Sequence, residues 1–512
     1  MSRGQKLTSE FTPKKKRRTL TRRAILGAMG IGVLGAAGYA GGGEIPGRPG
    51  HTDRNPVATE NAETGDRRWR PDARGVATST DAHGEIQGYA SLTSVERGET
   101  IDFHVSTSGA EQYRISIYRL GHYQGAGARL MTTSPPLAGS ARQIPDCDPE
   151  TGSVGCEWPV SWTLGVPRSW TSGTYIAVFD TVSGRRGYTP FVVRELDRAA
   201  DLLVVLPFTT YQGYNLWPVI GRSGKSFYNG HNPDGTLGGH KNRAFTVCFR
   251  RPYQDAGLPV WFEMDQNFVH WAEGNGYDAT YASSVDLHAG RVDPSRYKAI
   301  VFPGHDEYWT TPMRSALEDA LAAGTHVAFL GANNVYWHTR VEPDSNGVAH
   351  GHVTCYKEAP DPYAGDEGTT VKFRDLPGMA EQALIGVMYN GLPHRPEPLV
   401  VKGARHWFWS GTGLKNGDKI PAMVAIEADG VDGASPNPSG AQRTLLSASP
   451  YKHRGAHKRV QNTSLVEYDS GTMVFVAGTF FWPLALYKEG QINEHVRRAT
   501  TNLLGRMIGP PA

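Results

Sequence analysis

Three mid-chain runs with almost no polar alternation constrain this sequence most. They are Leu202–Leu206 (LLVVL), Ala299–Phe302 inside YKAIVFPGHDEYW, and His326–Leu330 (HVAFL). A strand with one wet face alternates apolar and polar residues, whereas a strand covered on both faces does not. Between and after these runs, Phe262–Gly274 and Pro312–Ala323 carry helical spacing, and Ala279–Ala282 reads as another strand. Alternation of strand and helix predicts a doubly wound, parallel α/β sheet. In such sheets ligands sit beyond the carboxyl ends of the strands.

The segments just past each strand therefore matter most. After AIVF come Pro303-Gly304 and then His305, Asp306, Glu307, Tyr308 and Trp309. Two carboxylates, an imidazole and a phenol cluster there, which we read as functional; the alternative for Asp306 alone is a helix cap. After LLVVL comes Thr209–Asn215 (TTYQGYN), a loop expected at the same sheet edge. Two phenols and a carboxylate would make a hard, anionic oxygen set. Phenol ionises only near pKa of about 10, so a strongly Lewis-acidic ion such as Fe³⁺ would be needed to hold it ionised. The alternative is aromatic packing in a glycine-rich loop. After HVAFL comes GANN, Gly331–Asn334. No elbow carries a cysteine and no GxSxG is present, which argues against thiol or serine nucleophiles in the usual arrangement. In His350-Gly351-His352, alternation puts both imidazoles on one face, as a ligand pair or a solvated surface pair.

At 512 residues the chain is too long for one core. Short alternating strands (Ile101–Val105, Tyr113–Tyr118, Tyr175–Phe179, Tyr188–Val193), separated by Gly-containing turns, predict an immunoglobulin-like β-sandwich over 75–196. The α/β domain occupies 197–509. Residues 1–23 hold nine of the 53 Lys and Arg. Thr21–Leu26 (TRRAIL) has the twin-arginine pattern, and Ala24–Ala40 is uncharged. We read 1–40 as a signal for the twin-arginine export machinery, with a single-pass anchor as the alternative. The product would be extracellular or attached to the cell envelope. Residues 41–74 read as a disordered linker. Without residues 1–23, 44 basic side chains face 49 acidic ones, which leaves no global basic field for nucleic acid. Cys147 and Cys156 are placed to close a small disulfide; Cys248 and Cys355 are isolated, and no zinc spacing is present.

The segments TTYQGYNLW (Thr209–Trp217), FTVCFRRPY (Phe245–Tyr253), GHDEYW, GANNVYW (Gly331–Trp337), VTCYK (Val353–Lys357) and VFVAGTFFW (Val474–Trp482) resemble the C-terminal domain of the N,N-dimethylformamidase large (β) subunit family. The resemblance runs over about Leu202–Gly509. It implies a glutamine amidotransferase-like α/β fold that has lost its cysteine, a mononuclear iron (Fe³⁺) held by two tyrosines and a glutamate, and hydrolysis of a small amide. By that resemblance the glutamate is Glu307, with His305 as its companion. Asn333 is the polar partner for substrate, and Lys357 and Glu427 are supporting or acid/base groups. Tyr253 is one candidate tyrosine; for the other, Tyr211 and Tyr214 compete, with Tyr211 preferred. The family's formamidases are cytoplasmic two-subunit enzymes with a lectin-like leading domain, which this chain does not match. The expectation is an exported iron-dependent hydrolase of an amide-like C–N bond, oligomeric or not, acting on a small-molecule or envelope-derived amide. The alternative is a non-catalytic envelope- or carbohydrate-binding protein, which 12 Trp and 22 Tyr would suit.

Overall fold

The computed structural model describes residues 55–509, apart from 82, 220–222, 233 and 345. The expected export segment lies outside the described residues. Among the described residues no helix is long and apolar enough to cross a membrane.

Leu202–Leu206 lies inside a seven-stranded sheet and is buried along its whole length. The strand order is Ala279–Ser283, Leu202–Leu206, Ala299–Phe302, His326–Phe329, Met473–Val476, Ser464–Tyr468, Ala441–Leu445. The first five are parallel, and the last two are added by antiparallel pairing. The missing alternation has its physical reason here. Leu203 and Val205 pack into one apolar layer with Met313 and Leu317, while Leu202, Val204 and Leu206 face another with Phe268 and Trp271.

The helix Thr311–Ala322 shows how local chemistry fixes such an element. Thr310 accepts the Met313 N–H as N-cap, and Pro312 occupies the first turn, where its missing N–H is harmless. Asp306 is therefore not the cap. Met313, Leu317, Ala320 and Leu321 form the buried stripe, and burying each large one contributes about 1.5–3 kcal/mol. Gly324, at φ +99°, ends the helix as Thr325 N–H returns to the Ala320 carbonyl.

Ahead of this sheet, strands Gln112–Leu120, Gly173–Thr181 and Arg185–Arg194 form the centre of a seven-stranded sheet, and Ile86–Ala90, Thr100–Thr107 and Trp162–Gly165 form a second sheet of three. Side chains such as Ile86, Phe103, Ile115, Phe179 and Phe191 share one buried cluster. Residues 55–74 are not the expected linker. Pro56–Asn61 is a helix and Arg67–Trp69 a 3-10 turn. Polar composition hid them, because what they bury is largely polar. Glu60 receives Arg129 at 2.8 Å, and Asn61 donates to Glu273 at 2.7 Å.

Both layers belong to one unit, 51–512, and ion pairs shielded from water join them. Arg119 on the Gln112–Leu120 strand makes a two-pronged contact with Glu273 at the end of helix Phe262–Gly274, at 2.8 and 2.9 Å. Both side chains are 0% exposed. Tyr281 and Asn61 fill the remaining carboxylate sites, each at 2.7 Å. Arg194 and Asp286 repeat the arrangement at 2.8 Å, with Ser94 donating to the same carboxylate at 2.6 Å.

The disulfide expected between Cys147 and Cys156 is not formed; all four cysteines are thiols. The intervening turn is closed instead by Asp148, whose carboxylate accepts the Thr151 N–H at 2.7 Å. Cys156 is drawn inward by its N–H bond to the Arg250 carbonyl, 2.7 Å.

Glu273→Gln would leave the Arg119 guanidinium buried without its counter-charge. Urea unfolding should show a loss of about 3–5 kcal/mol, and an unchanged midpoint would contradict this role. His270, whose Nε2–H donates to the Gly127 carbonyl at 3.0 Å, has its pKa pulled by burial from 6.5 to about 3. The unfolded chain takes up that proton below 6.5 while the folded one does not. Stability should therefore fall as pH drops from 6.5 towards 3, by up to about 1.4 kcal/mol per pH unit from this group. His270→Gln should flatten the acid limb of the stability profile by that gradient.

Candidate active site

The site lies past the carboxyl ends of Leu202–Leu206, Ala299–Phe302 and His326–Phe329. The turn Pro303–Glu307 leaves the central strand, and the Thr210 hydroxyl accepts the Glu307 and Tyr308 N–H groups at 3.0 and 3.2 Å. Tyr308–Trp309 then pairs with Trp337–His338, so the turns after neighbouring strands are laced together. Gly331 is required by this approach: a Cβ there would stand 2.3 Å from the Gly304 carbonyl oxygen.

Thr209–Asn215 is not a loop. Phe208–Tyr214 is a short helix, with Tyr214 at its end. The chain then swings out and returns, and the Phe227 N–H donates to the Gly213 carbonyl at 3.0 Å. That bond sets Tyr228 beside Tyr214, with ring centroids 4.6 Å apart. Gly213 allows the packing, since a Cβ would come within 2.9 Å of the Tyr308 ring.

Four functional groups converge. The Tyr214 hydroxyl donates to Glu307 Oε2 at 2.6 Å, and the Tyr228 hydroxyl donates to Glu307 Oε1. The two hydroxyls are 3.2 Å apart. His305 Nε2 lies 3.0 Å from Glu307 Oε2 and 3.1 Å from the Tyr214 hydroxyl. His305 Nδ1 donates to the Ala332 carbonyl at 3.0 Å. Burial alone would lower the His305 pKa, but the Glu307 hydrogen bond and the nearby Glu427 charge hold it above 6.5. Both ring nitrogens face acceptors, so the imidazolium is the form this pocket satisfies.

A second pair sits alongside. Asn333 Nδ2 donates to Glu427 Oε2 at 2.8 Å, and Glu427 Oε2 is 3.9 Å from His305 Nε2. The Asn333 N–H donates to Asp429 Oδ1 at 2.8 Å; burial raises the Asp429 pKa to about 7 despite that bond. Among the described residues Asn333 Oδ1 is buried and accepts nothing. Lys357 holds its ammonium 3.4 Å from the centroid of the Tyr228 ring. Phe480, 4.4 Å from the His305 ring, and Trp261, 5.2 Å from Phe480, add an aromatic wall. Asn333, Lys357 and Ile426 hold φ at +57°, +58° and +66°, and Trp261 at +74°. Left-handed backbone at non-glycine residues costs about 1–2 kcal/mol each and gathers at functional sites.

The structure thus brings Glu307, His305, Asn333, Glu427, Lys357 and Tyr214 together; the expected pair Tyr211 and Tyr253 pack edge-on, with ring centroids 6.4 Å apart, and their hydroxyls bond elsewhere. The Tyr211 hydroxyl donates to Asp265 at 2.6 Å, on helix Phe262–Gly274. Tyr253 is hydrogen-bonded with Gln212. Tyr211 and Tyr214 both lie on helix Phe208–Tyr214, yet the Tyr211 hydroxyl is taken up by Asp265 while the Tyr214 hydroxyl reaches Glu307. Tyr228 escaped the sequence reading, because contacts distant in sequence, among them the Phe227 N–H to Gly213 carbonyl bond, bring it in. His350 and His352 do not act together. His350 takes φ +58° and packs on His288, whereas His352 lies 3.5 Å from the Ser153 hydroxyl. Among the described residues no three His, Cys, Asp or Glu gather as a metal site; the converging set here is phenolic.

Two phenols, a carboxylate and an imidazole thus meet past the carboxyl ends of the parallel strands. The chain belongs to the N,N-dimethylformamidase beta subunit-like family, whose C-terminal model matches residues 114–495. That match begins inside the Gln112–Leu120 strand, earlier than the motifs from Leu202 onward suggest. Similar curated proteins are the N,N-dimethylformamidase beta subunits of Paracoccus aminophilus, 31% identical over 147 residues (27% of this chain, 19% of that one), and of Alcaligenes sp, 26% identical over 244 residues (41% and 32%). The matched stretches span no more than a third of those relatives. Among solved structures, a Paenibacillus cycloisomaltooligosaccharide glucanotransferase shares 9% identity at a TM-score of 0.17, covering 76% of this chain and 70% of that one. A likeness that slight carries no argument.

Proposed function

We propose that this chain hydrolyses an amide-like C–N bond at a ferric centre held by Tyr214, Tyr228 and Glu307. The observation that supports the reading is the convergence of two phenol hydroxyls on one carboxylate beside an imidazole ring. The donor set fits the ion. Phenolate and carboxylate are hard oxygen ligands, and three such anions suit a trivalent cation. When bound, a ferric ion supplies Lewis acidity towards a carbonyl or a water.

The chain's own residues then have assignable work. As ligands, Tyr214 and Tyr228 would bind as phenolates, the two hydroxyl protons they now donate to Glu307 being released to solvent when the ion enters. The Lys357 ammonium lies over the Tyr228 ring and puts a positive charge beside that phenol. His305, fixed through Nδ1, neutralises the carboxylates around it and stays oriented. Glu427, held by Asn333, carries a proton between water and the departing nitrogen. Asn333 Oδ1 faces the substrate as an acceptor, which suits an amide or amine N–H rather than only the carbonyl oxygen. Phe480 and Trp261 exclude water and give apolar contact. Export to the envelope or beyond rests on the twin-arginine pattern at residues 21–26.

Protein loaded with Fe³⁺ should bind one ion and show a tyrosinate-to-iron charge-transfer band. Tyr214→Phe and Tyr228→Phe should each weaken iron binding at least about tenfold (~1.4 kcal/mol), whereas Tyr211→Phe and Tyr253→Phe should retain it. Bleaching by Tyr211→Phe but not by Tyr228→Phe would sink the assignment. Assayed against a panel of short N-substituted amides, Glu427→Gln should keep the iron and lower kcat by about 100-fold or more.

A further inference from the structure

Arg251 comes three residues after the short strand Thr246–Cys248 and is 0% exposed. Among the described residues no carboxylate pairs with it. Burial lowers its pKa to about 10, so it remains a cation at neutral pH. A buried cation without a counter-ion is costly unless its donors are satisfied. Here four of its five N–H groups are met, by one side-chain amide and three backbone carbonyls. Nε donates to Gln212 Oε1 at 3.2 Å, Nη2 to the Asn215 carbonyl at 3.0 Å, and Nη1 to the Trp217 and Lys225 carbonyls, both at 3.2 Å.

The place of those acceptors in the chain is informative. Asn215 is the residue after Tyr214. Trp217 lies on the limb that leaves the site, and Lys225 on the limb that returns to Tyr228. One planar guanidinium therefore staples the outgoing limb to the returning one, between the two phenols. Tyr214 has no other covalent tie to Tyr228 than that loop, and Phe227 to Gly213 is the next bond along. The β-sandwich steadies the same limb, since Trp217 Nε1 donates to Gln87 Oε1 at 2.7 Å.

We propose that Arg251 is the positioning residue that sets the spacing of the Tyr214 and Tyr228 hydroxyls at Glu307. This rests on the reading of those three residues as an iron site. Lysine keeps the charge and some donors but cannot fork to four acceptors in one plane, so Arg251→Lys separates geometry from charge. Arg119, equally buried but paired with Glu273 away from the loop, is the structural control.

The test uses the full chain as wild type, Arg251→Lys, Arg251→Met and Arg119→Lys. Each is titrated with Fe³⁺-nitrilotriacetate while the charge-transfer band and the melting temperature are followed. A metal-free crystal structure of Arg251→Lys is determined in parallel. Arg251→Lys should bind iron at least tenfold more weakly, with a shifted band, and its metal-free structure should show at least one of the two hydroxyls withdrawn from Glu307. Arg119→Lys should lose melting temperature and keep wild-type affinity. Wild-type affinity and band position in Arg251→Lys would overturn the proposal, as would equal loss of affinity in Arg119→Lys. Should wild type bind no iron, the iron reading fails by itself. The metal-free structure then still decides the positioning claim, which falls if both hydroxyls stay on Glu307. Should Arg251→Met fail to fold, the lysine variant carries the comparison.

Discussion

The carboxylate of Glu307 organises the site. Two phenols and an imidazole donate to its two oxygens, and the phenols arrive on separate limbs of a loop. A carboxylate at the end of a buried strand would normally be pushed towards its neutral form by desolvation. Here two hydroxyls and a ring nitrogen surround its two oxygens. The backbone that carries it has little freedom. Thr210 takes its N–H, the Trp337 N–H reaches its carbonyl at 2.9 Å, and the strand behind it is paired on both edges.

Support for that arrangement spreads outward in layers. Arg251 and Gln87 hold the loop between the phenols, and the sandwich that supplies Gln87 is fixed to the α/β sheet by Arg119–Glu273 and Arg194–Asp286. The carboxylates of these pairs are met by several donors, although the Nε of Arg119 and of Arg194 finds no hydrogen-bond acceptor among the described residues. Of these sandwich contacts only Gln87 with Trp217 touches the loop itself; Arg119–Glu273 and Arg194–Asp286 hold the layers together away from it. Backbone strain at Asn333, Lys357 and Ile426 is the counterpart: the fold holds these residues where the site needs them and against their own preference.

Much of this could be read from residues alone, and the reasons are local. LLVVL, AIVF and HVAFL lack alternation because both faces are covered. The turn that ends a parallel strand falls at the site, so His305, Glu307 and Asn333 stood out. The misplaced and missing pieces depend on contacts far apart in sequence. The resemblance left Tyr211 and Tyr214 in competition, with Tyr211 preferred, and what distinguishes their surroundings is a contact distant in sequence, that of the Tyr211 hydroxyl with Asp265. Tyr228 comes in through a backbone bond and a guanidinium staple that no spacing encodes. Residues 55–74 looked like linker because their buried partners are charged, and polar burial leaves no apolar stripe.

The account depends most on where a single ion sits. Anomalous scattering at the iron edge, from crystals of the protein loaded with Fe³⁺, measures that directly. The account predicts one peak within bonding distance of the Tyr214 and Tyr228 hydroxyl oxygens and the Glu307 carboxylate. A peak beside Tyr211 and Asp265, or none at the phenols, would contradict it.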